Sequence, residues 1–175
     1  MSKVIIYASK YGSSKKYAEK LHEIMKLPIY SYTDLPNDFS NYHEIILIAS
    51  LYASGTLGLK KVMEKMNLEN TEMTIITVGL ADIDKETNIQ KIREKINKTI
   101  QNTPIKIKNI FHLRGGINYS KLSFTHKLMM KALYTKVKNK PLNEIDDEAR
   151  EFLDTYGKEV NFIDFNRLES IIPNL

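Results

Sequence analysis

Val4-Ile5-Ile6-Tyr7-Ala8-Ser9-Lys10-Tyr11-Gly12-Ser13-Ser14 is the stretch on which the fold turns. A nearly continuous apolar run of strand length passes without a linker into a loop of hydroxyl residues, a lysine and a glycine. The chain then enters a segment of helical period, with Tyr17, Leu21, Ile24 and Met25 on one side of residues 13–25. Apolar residues without alternation are what a strand covered on both faces requires. Runs of the same kind recur at residues 45–50 and 73–79, with a looser one at 105–113. A shorter candidate, 28–32, begins with Pro28, which assigns it to an edge.

Helical patterns lie between these runs. Residues 57–66 carry Leu59, Val62, Met63 and Met66 at helical spacing, and residues 84–100 carry Ile89, Ile92, Ile96 and Ile100 behind Asp84 as the expected N-cap. Residues 122–137 and 148–162 complete the set. The order β-α-β-β-α-β-α-β-α-α predicts an α/β domain with a parallel sheet and right-handed crossovers. No internal repeat and no Ser/Gly-rich linker divides the chain, so residues 1–162 read as one domain and 163–175 as a tail or a strap laid on its surface.

Composition narrows the chemistry. The 175 residues contain no Cys, which removes a disulfide scaffold, a cysteine nucleophile, a Cys-based zinc site and an iron–sulfur cluster together. Any redox chemistry therefore needs a bound organic cofactor. His22, His43, His112 and His126 sit in separate segments without metal-ligand spacing, so structural roles are expected for them and no metal site is expected. There is no signal-peptide pattern and no apolar stretch approaching the roughly 18 residues that span a bilayer, so a cytoplasmic protein is expected, with peripheral membrane contact open.

The formal charge of +5 is a sum of opposites. No acidic residue occurs between Glu94 and Glu144, a window that holds 11 basic residues; the rest has 15 basic against 21 acidic, net −6. An anionic partner would meet the 95–143 region first. Within it, residues 122–137 place Leu122, Met129, Met130, Leu133 and Val137 along one side, with Lys127, Lys131 and Lys138 nearly opposite. A sheet-covering helix with a solvated lysine face accounts for this pattern. So does a helix whose Lys127, Lys131 and Lys138 approach an anionic membrane surface or an acidic redox protein. No nucleic-acid module accompanies the charge, and no nucleic-acid partner is expected.

In a doubly wound sheet, ligands bind beyond the carboxyl ends of the strands. The loop Ser9, Lys10, Tyr11, Gly12, Ser13 and Ser14 suits a phosphate, with backbone N–H groups, hydroxyls and a helix N-terminus to receive it. It equally suits an ordinary turn with serine as helix cap. It lacks the Gly-Lys-Ser/Thr of ATP-binding loops and the three glycines of the dinucleotide fingerprint. After the next long strand, Leu51, Tyr52, Ala53 and Ser54 could bring backbone against a flat ligand with Tyr52 over a ring face, or leave Tyr52 as a half-exposed loop aromatic. Gly79, Leu80, Ala81 and Asp82 form a third compact loop, and Gly115, Gly116, Ile117, Asn118 and Tyr119 a fourth. A phosphorelay receiver needs acidic residues where strands one and three end; Ala8-Ser9 and Ala49-Ser50 stand there instead.

The 9–14 loop resembles the Ser/Thr-x-x-Gly-x-Ser/Thr phosphate loop of flavodoxins. More closely, the chain resembles the flavodoxin-domain family that includes menaquinone-dependent protoporphyrinogen IX dehydrogenase. The likeness rests on residues 9–14, on Ile48-Ala49-Ser50-Leu51, and on the 115–119 glycine loop leading to Lys127-Leu128-Met129-Met130-Lys131, and covers roughly residues 1–162. It implies a flavodoxin-like three-layer sandwich with five parallel strands in the order 2-1-3-4-5. It also implies FMN, with its phosphate on Ser9, Gly12, Ser13 and Ser14 beside Lys10 and Tyr11. Leu51 to Ser54 and Gly79 to Asp82 would flank the ring, and Gly115 to Tyr119 would close over it. The implied activity is electron transfer from a reduced substrate, a porphyrinogen in that subfamily, to a quinone or protein acceptor. A non-enzymatic carrier docking on redox partner proteins is the alternative. The chain departs from the dehydrogenases in carrying Tyr52-Ala53 in place of an Arg-Tyr pair, and from small flavodoxin carriers in being basic. No catalytic acid or base is nominated, because the flavin carries the chemistry, and the oligomeric state is not legible.

Overall fold

The five apolar runs pair into one sheet. In the computed structural model, which describes residues 2–52, 55–66, 71–145 and 147–175, the chain runs β1 (Lys3–Ala8), α1 (Ser13–Met25), β2 (Ile29–Ser31), β3 (Glu44–Tyr52), β4 (Gly55–Thr56), α2 (Leu59–Lys65) and β5 (Glu72–Gly79). It continues through α3 (Glu86–Ile100), β6 (Lys106–Arg114), β7 (Gly116–Asn118), α4 (Phe124–Lys138), α5 (Asp147–Thr155), β8 (Glu159–Asn161) and α6 (Phe165–Ile171). The main strands are all parallel in the order β2-β1-β3-β5-β6, with Ile5 beside both Ile29 and Ile46. Counted without the two-residue β4, which folds back antiparallel on the end of β3, this is the expected 2-1-3-4-5 order.

Strand alternation sorts the apolar residues into two cores, one on each face. Val4, Ile6 and Ala8 of β1 join Ile45, Leu47 and Ala49 of β3 under α2 and α3, against Val62, Met63, Ile92 and Ile96. Ile5, Ile46, Ile48 and Ile76 pack on the other face beneath α1, against Tyr17, Ala18 and Leu21. Residues 163–175 reach this second core: Leu168 of α6 and the terminal Leu175 are buried in it. At the amino edge of the sheet the buried carboxylate of Glu44 accepts from Lys3 at 3.1 Å, Lys108 at 3.0 Å and the Thr74 hydroxyl at 3.1 Å. Burial alone would raise its pKa; the two ammonium groups hold it below the usual carboxylate range.

Three sequence expectations are corrected. Asp84 does not cap α3: the cap position is Lys85, and Asp84 pairs with Arg167 of α6 at 2.8 Å. The helix expected over 148–162 stops at Thr155, because Gly157 at φ 79° turns the chain. Beyond that turn lies β8, antiparallel to β7 with Ile117 opposite Val160, a pair too short for its alternation to stand out. Finally, α4 does not cover the sheet. Val137 is its single buried residue among those described, while Met129 and Leu133, expected on a covered side, are exposed.

Candidate functional site

β1 is the second of the five parallel strands, with β2 on one side and β3 on the other, so the chain reverses its winding direction where β1 and β3 end at the carboxyl edge of the sheet. The loop leaving β1 turns on Gly12, whose φ of 96° is a left-handed conformation that a side chain resists. Its N–H donates to Ser9 Oγ at 3.0 Å, which tightens the turn. A Cβ added at Gly12 would meet nothing within 4 Å, so the loop opens outward. Gly12 is also the N-cap of α1, and that cap offers no side-chain hydrogen bond and no acidic residue in the first turn. The serine-cap reading of the loop is therefore set aside. The first-turn N–H groups, the Ser9 hydroxyl and Lys10 form a donor set suited to a phosphate monoester.

Ser13 and Ser14 tie the loop to its neighbours. Buried Ser14 bonds Ser50 Oγ at 2.8 Å, tying the loop to β3. Ser13 Oγ accepts from the Gly116 N–H at 3.0 Å, tying it to β7. The two glycines that follow β6 are explained by close approach. A Cβ on Gly115 would lie 2.9 Å from Val78 Cγ1 and 3.1 Å from Ser13 Cβ, and one on Gly116 would lie 2.7 Å from the Val160 carbonyl oxygen.

The strand ends that lead into the two loops proposed to flank a ring lie side by side, and Gly79 leaves room for Leu51: a Cβ on Gly79 would sit 3.0 Å from Leu51 Cδ1. Tyr52, at the end of β3, is half-buried, and burial, helped by the neighbouring Tyr11 and Tyr32 hydroxyls, pushes its pKa up to about 12. It is a neutral aromatic wall at any ordinary pH. Ala53 and Ser54 lie outside the described residues. On the other side, the Leu80 carbonyl accepts from Arg114 Nη2 at 2.8 Å and Nε at 3.2 Å. Asp82 serves the approach to α3, accepting from the Asp84 N–H at 3.0 Å while its carbonyl holds Asn88 at 2.9 Å. Of the last loop, Ile117 and Asn118 are engaged in the β7–β8 pair. Tyr119 joins an aromatic cluster with Tyr134, Tyr156 and Phe152 between α4 and α5.

Two residues of the site escaped the sequence reading. His126, expected to be structural, projects from the first turn of α4 onto the phosphate-type loop. Its Nδ1 is hydrogen bonded to the Tyr11 hydroxyl, its Nε2 lies 3.5 Å from Lys10 Nζ, and its ring lies 5.9 Å from that of Tyr52. Arg114, which the sequence places at the start of the loop after the last long strand and among the 11 basic residues but gives no role at the site, pairs with Glu151 of α5 and stacks over Phe162 at 3.8 Å while holding Leu80. No local pattern marks either residue, since both act across chain separations that only folding closes. Beside Leu80 and Ala81 opens a cavity of about 320 Å³, walled by Leu133 and Val137 of α4 and by Phe152 and Phe162. Among the described residues no cluster of His, Asp or Glu could hold a metal ion.

The donor loop, the adjacent ends of β3 and β5 and the aromatic Tyr52 together suit a flat ring carrying a phosphate. A flavodoxin domain family model matches residues 4–144. In three dimensions the chain is similar to a candidate flavoprotein of Bacteroides uniformis, with TM-score 0.51 and 9% identity over 65% of this chain and 90% of that one. A second candidate flavoprotein, from Bacteroides eggerthii, superposes with TM-score 0.51 and 10% identity over 64% of this chain and 87% of that one. A flavoprotein of Lactobacillus acidophilus, solved in complex with FMN, gives TM-score 0.47 at 14% identity over 63% of this chain and 92% of that one. At 9% and 10% identity the two Bacteroides likenesses are of fold alone. No curated protein matches the sequence significantly.

Proposed function

The chain belongs to the flavodoxin domain family, and from that premise we propose that it is an FMN-dependent oxidoreductase moving electrons from a reduced substrate to a quinone or protein acceptor. The observation that carries the reading is the N-terminus of α1. It lacks a side-chain cap, lacks a first-turn carboxylate, turns on left-handed Gly12 and stands at the sheet's carboxyl edge where the strand order reverses, between β1 and β3.

When bound, FMN supplies a ring that takes up and gives back electrons. The chain's own residues bind and orient it. Ser9, Lys10 and the first-turn N–H groups hold the phosphate, and Ser13 and Ser14 keep the loop in shape through Gly116 and Ser50. Leu51 and Tyr52 on one side and Gly79 to Asp82 on the other exclude water from the ring, with Arg114 fixing the second loop. The resemblance of the 115–119 loop and the following basic helix to the protoporphyrinogen dehydrogenase subfamily supports a porphyrinogen as the reduced substrate. Its anionic propionates suit the acid-free 95–143 segment. The cytoplasm is the compartment this reading assigns.

Two measurements test it in sequence. FMN titrated with the purified protein is expected to lose its fluorescence, and unquenched FMN removes the reading. Anaerobic protoporphyrinogen IX with a menaquinone analogue is then expected to be oxidised by the loaded protein. Quenching without turnover makes the protein an electron carrier.

A further inference from the structure

Helix α4 is packed poorly by its own chain. Phe124 is 82% exposed, Leu128 59%, Met129 52% and Leu133 43%, and these are four of the six large apolar side chains exposed among the described residues. At 100° per residue, Phe124, Leu128, Ala132 and Met129 lie on one outer side of the helix, which exposed Thr125, Thr135 and Lys136 share. Lys127, Lys131 and Lys138 lie along its flank, and Lys136 stands near its C-terminal end. The inner side is short: His126 on the Tyr11 loop, then Met130, Tyr134 and buried Val137.

We infer that α4 is an interfacial helix that seats the protein on an anionic lipid bilayer, with Phe124, Leu128 and Met129 inserted among the lipid headgroups and the lysines reaching lipid phosphates. Charge complementarity selects this occupant. The helix carries Lys127, Lys131, Lys136 and Lys138, with Lys121 just before it and Lys140 just after it and no acidic residue anywhere in 95–143, so its surroundings suit an extended anionic plane. Fifteen residues make a helix about 22 Å long, shorter than the roughly 30 Å hydrocarbon core, so it lies in the surface. No described helix is long and apolar enough to cross a membrane. Lys127 Nζ donates to the Ser120 carbonyl at 3.1 Å and Lys138 Nζ stands 5.8 Å from the centre of the Tyr134 ring; both side chains are exposed and long enough to turn their ammonium groups to lipid phosphates instead. The seat bears on the site, because Leu133 also walls the cavity beside Leu80 and Ala81, and His126 rests on the phosphate loop. A lipid-dissolved acceptor would thus arrive at the loops proposed to flank the ring.

The test uses the full chain with vesicles of phosphatidylcholine alone or mixed with phosphatidylglycerol. Co-sedimentation is expected with the mixed vesicles only. Lys127→Gln, Lys131→Gln and Lys138→Gln together are expected to weaken it about 100-fold, at about fivefold per lysine. Phe124→Ser with Leu128→Ser is expected to weaken it at least about tenfold without changing FMN quenching, since both side chains are exposed. The chain has no Trp, so Phe124→Trp provides a single reporter, expected to shift to the blue and to be quenched by brominated lipid. No sedimentation with mixed vesicles, an unshifted Trp, or serine variants that bind as well as the parent would overturn the inference. So would a dimer that the serine variants dissolve, which would make that outer side a contact between two copies. FMN quenching on the same samples separates this inference from the proposed function: vesicle binding without flavin removes only the latter.

Discussion

The Tyr11 hydroxyl is hydrogen bonded to His126 Nδ1, joining the loop after β1 to the first turn of α4 across 115 residues of chain. The Ser123 N–H, one residue before α4, reaches the same hydroxyl at 3.4 Å. The phosphate loop and α4 are thereby coupled through one tyrosine. A typical hydrogen bond contributes about 1 kcal/mol net, so His126→Ala and Tyr11→Phe should each raise the FMN dissociation constant about fivefold. Because both remove the same bond, the double variant should be no worse than either single one. Fully additive losses in a fluorescence-titration cycle would show that the two residues act independently.

Gly12 holds a left-handed conformation that costs an ordinary residue about 1–2 kcal/mol, and it faces open space where the phosphate is assigned. Gly12→Asp adds a carboxylate there. FMN affinity should fall at least about 100-fold, while riboflavin, which lacks the phosphate, should suffer only the backbone cost. Equal losses for the two ligands would mean that the phosphate lies elsewhere.

Gly115→Ala puts a methyl 2.9 Å from Val78 Cγ1 and 3.1 Å from Ser13 Cβ, atoms that belong to the sheet and to the phosphate loop. Overpacking of this kind costs about 1–3 kcal/mol, which corresponds to a fall of roughly 3–10 °C in Tm for a chain of this size. FMN binding should weaken along with it, because Ser13 must move. Calorimetry showing an unchanged Tm would contradict the close packing.

His112 is half-buried, with Nδ1 2.7 Å from the Thr77 hydroxyl and Nε2 accepting from Arg93 Nε at 3.4 Å. Burial first, and then the Arg93 charge, lowers its pKa from 6.5 to about 4. The folded protein therefore keeps this ring neutral while the unfolded chain protonates it. Its contribution to stability is present above pH 6.5 and is lost as the pH falls from 6.5 through 4. Urea midpoints measured across that window should fall less steeply for His112→Gln than for the parent. Parallel slopes would show that His112 takes no part in the acid limb.

Much of the architecture was legible because it rests on local pattern. The run 4–8, the small-residue loop 9–14 and the helical period beyond it form a strand, a turn and a helix where the pattern places them. Helix α5 and the β7–β8 pair were less legible. A three-residue strand has too little alternation to read, and Gly157 ends the helix only by a dihedral choice that sequence periodicity does not register. The apolar positions of α4 were visible, but whether Met129 and Leu133 face a sheet or solvent depends on where the helix docks.

Side-chain type and spacing along a few turns of chain were enough to mark the main strands, to put hydroxyls in place of acids at the ends of β1 and β3, and to gather the positive charge between residues 95 and 143. None of these needs knowledge of how the elements pack. That His126 meets Tyr11, that Arg114 holds Leu80, and that α4 turns Phe124 and Leu128 outward came from the folded chain alone. Each of these contacts joins elements far apart in sequence, and hydrophobic burial, which drives their packing, has no direction of its own.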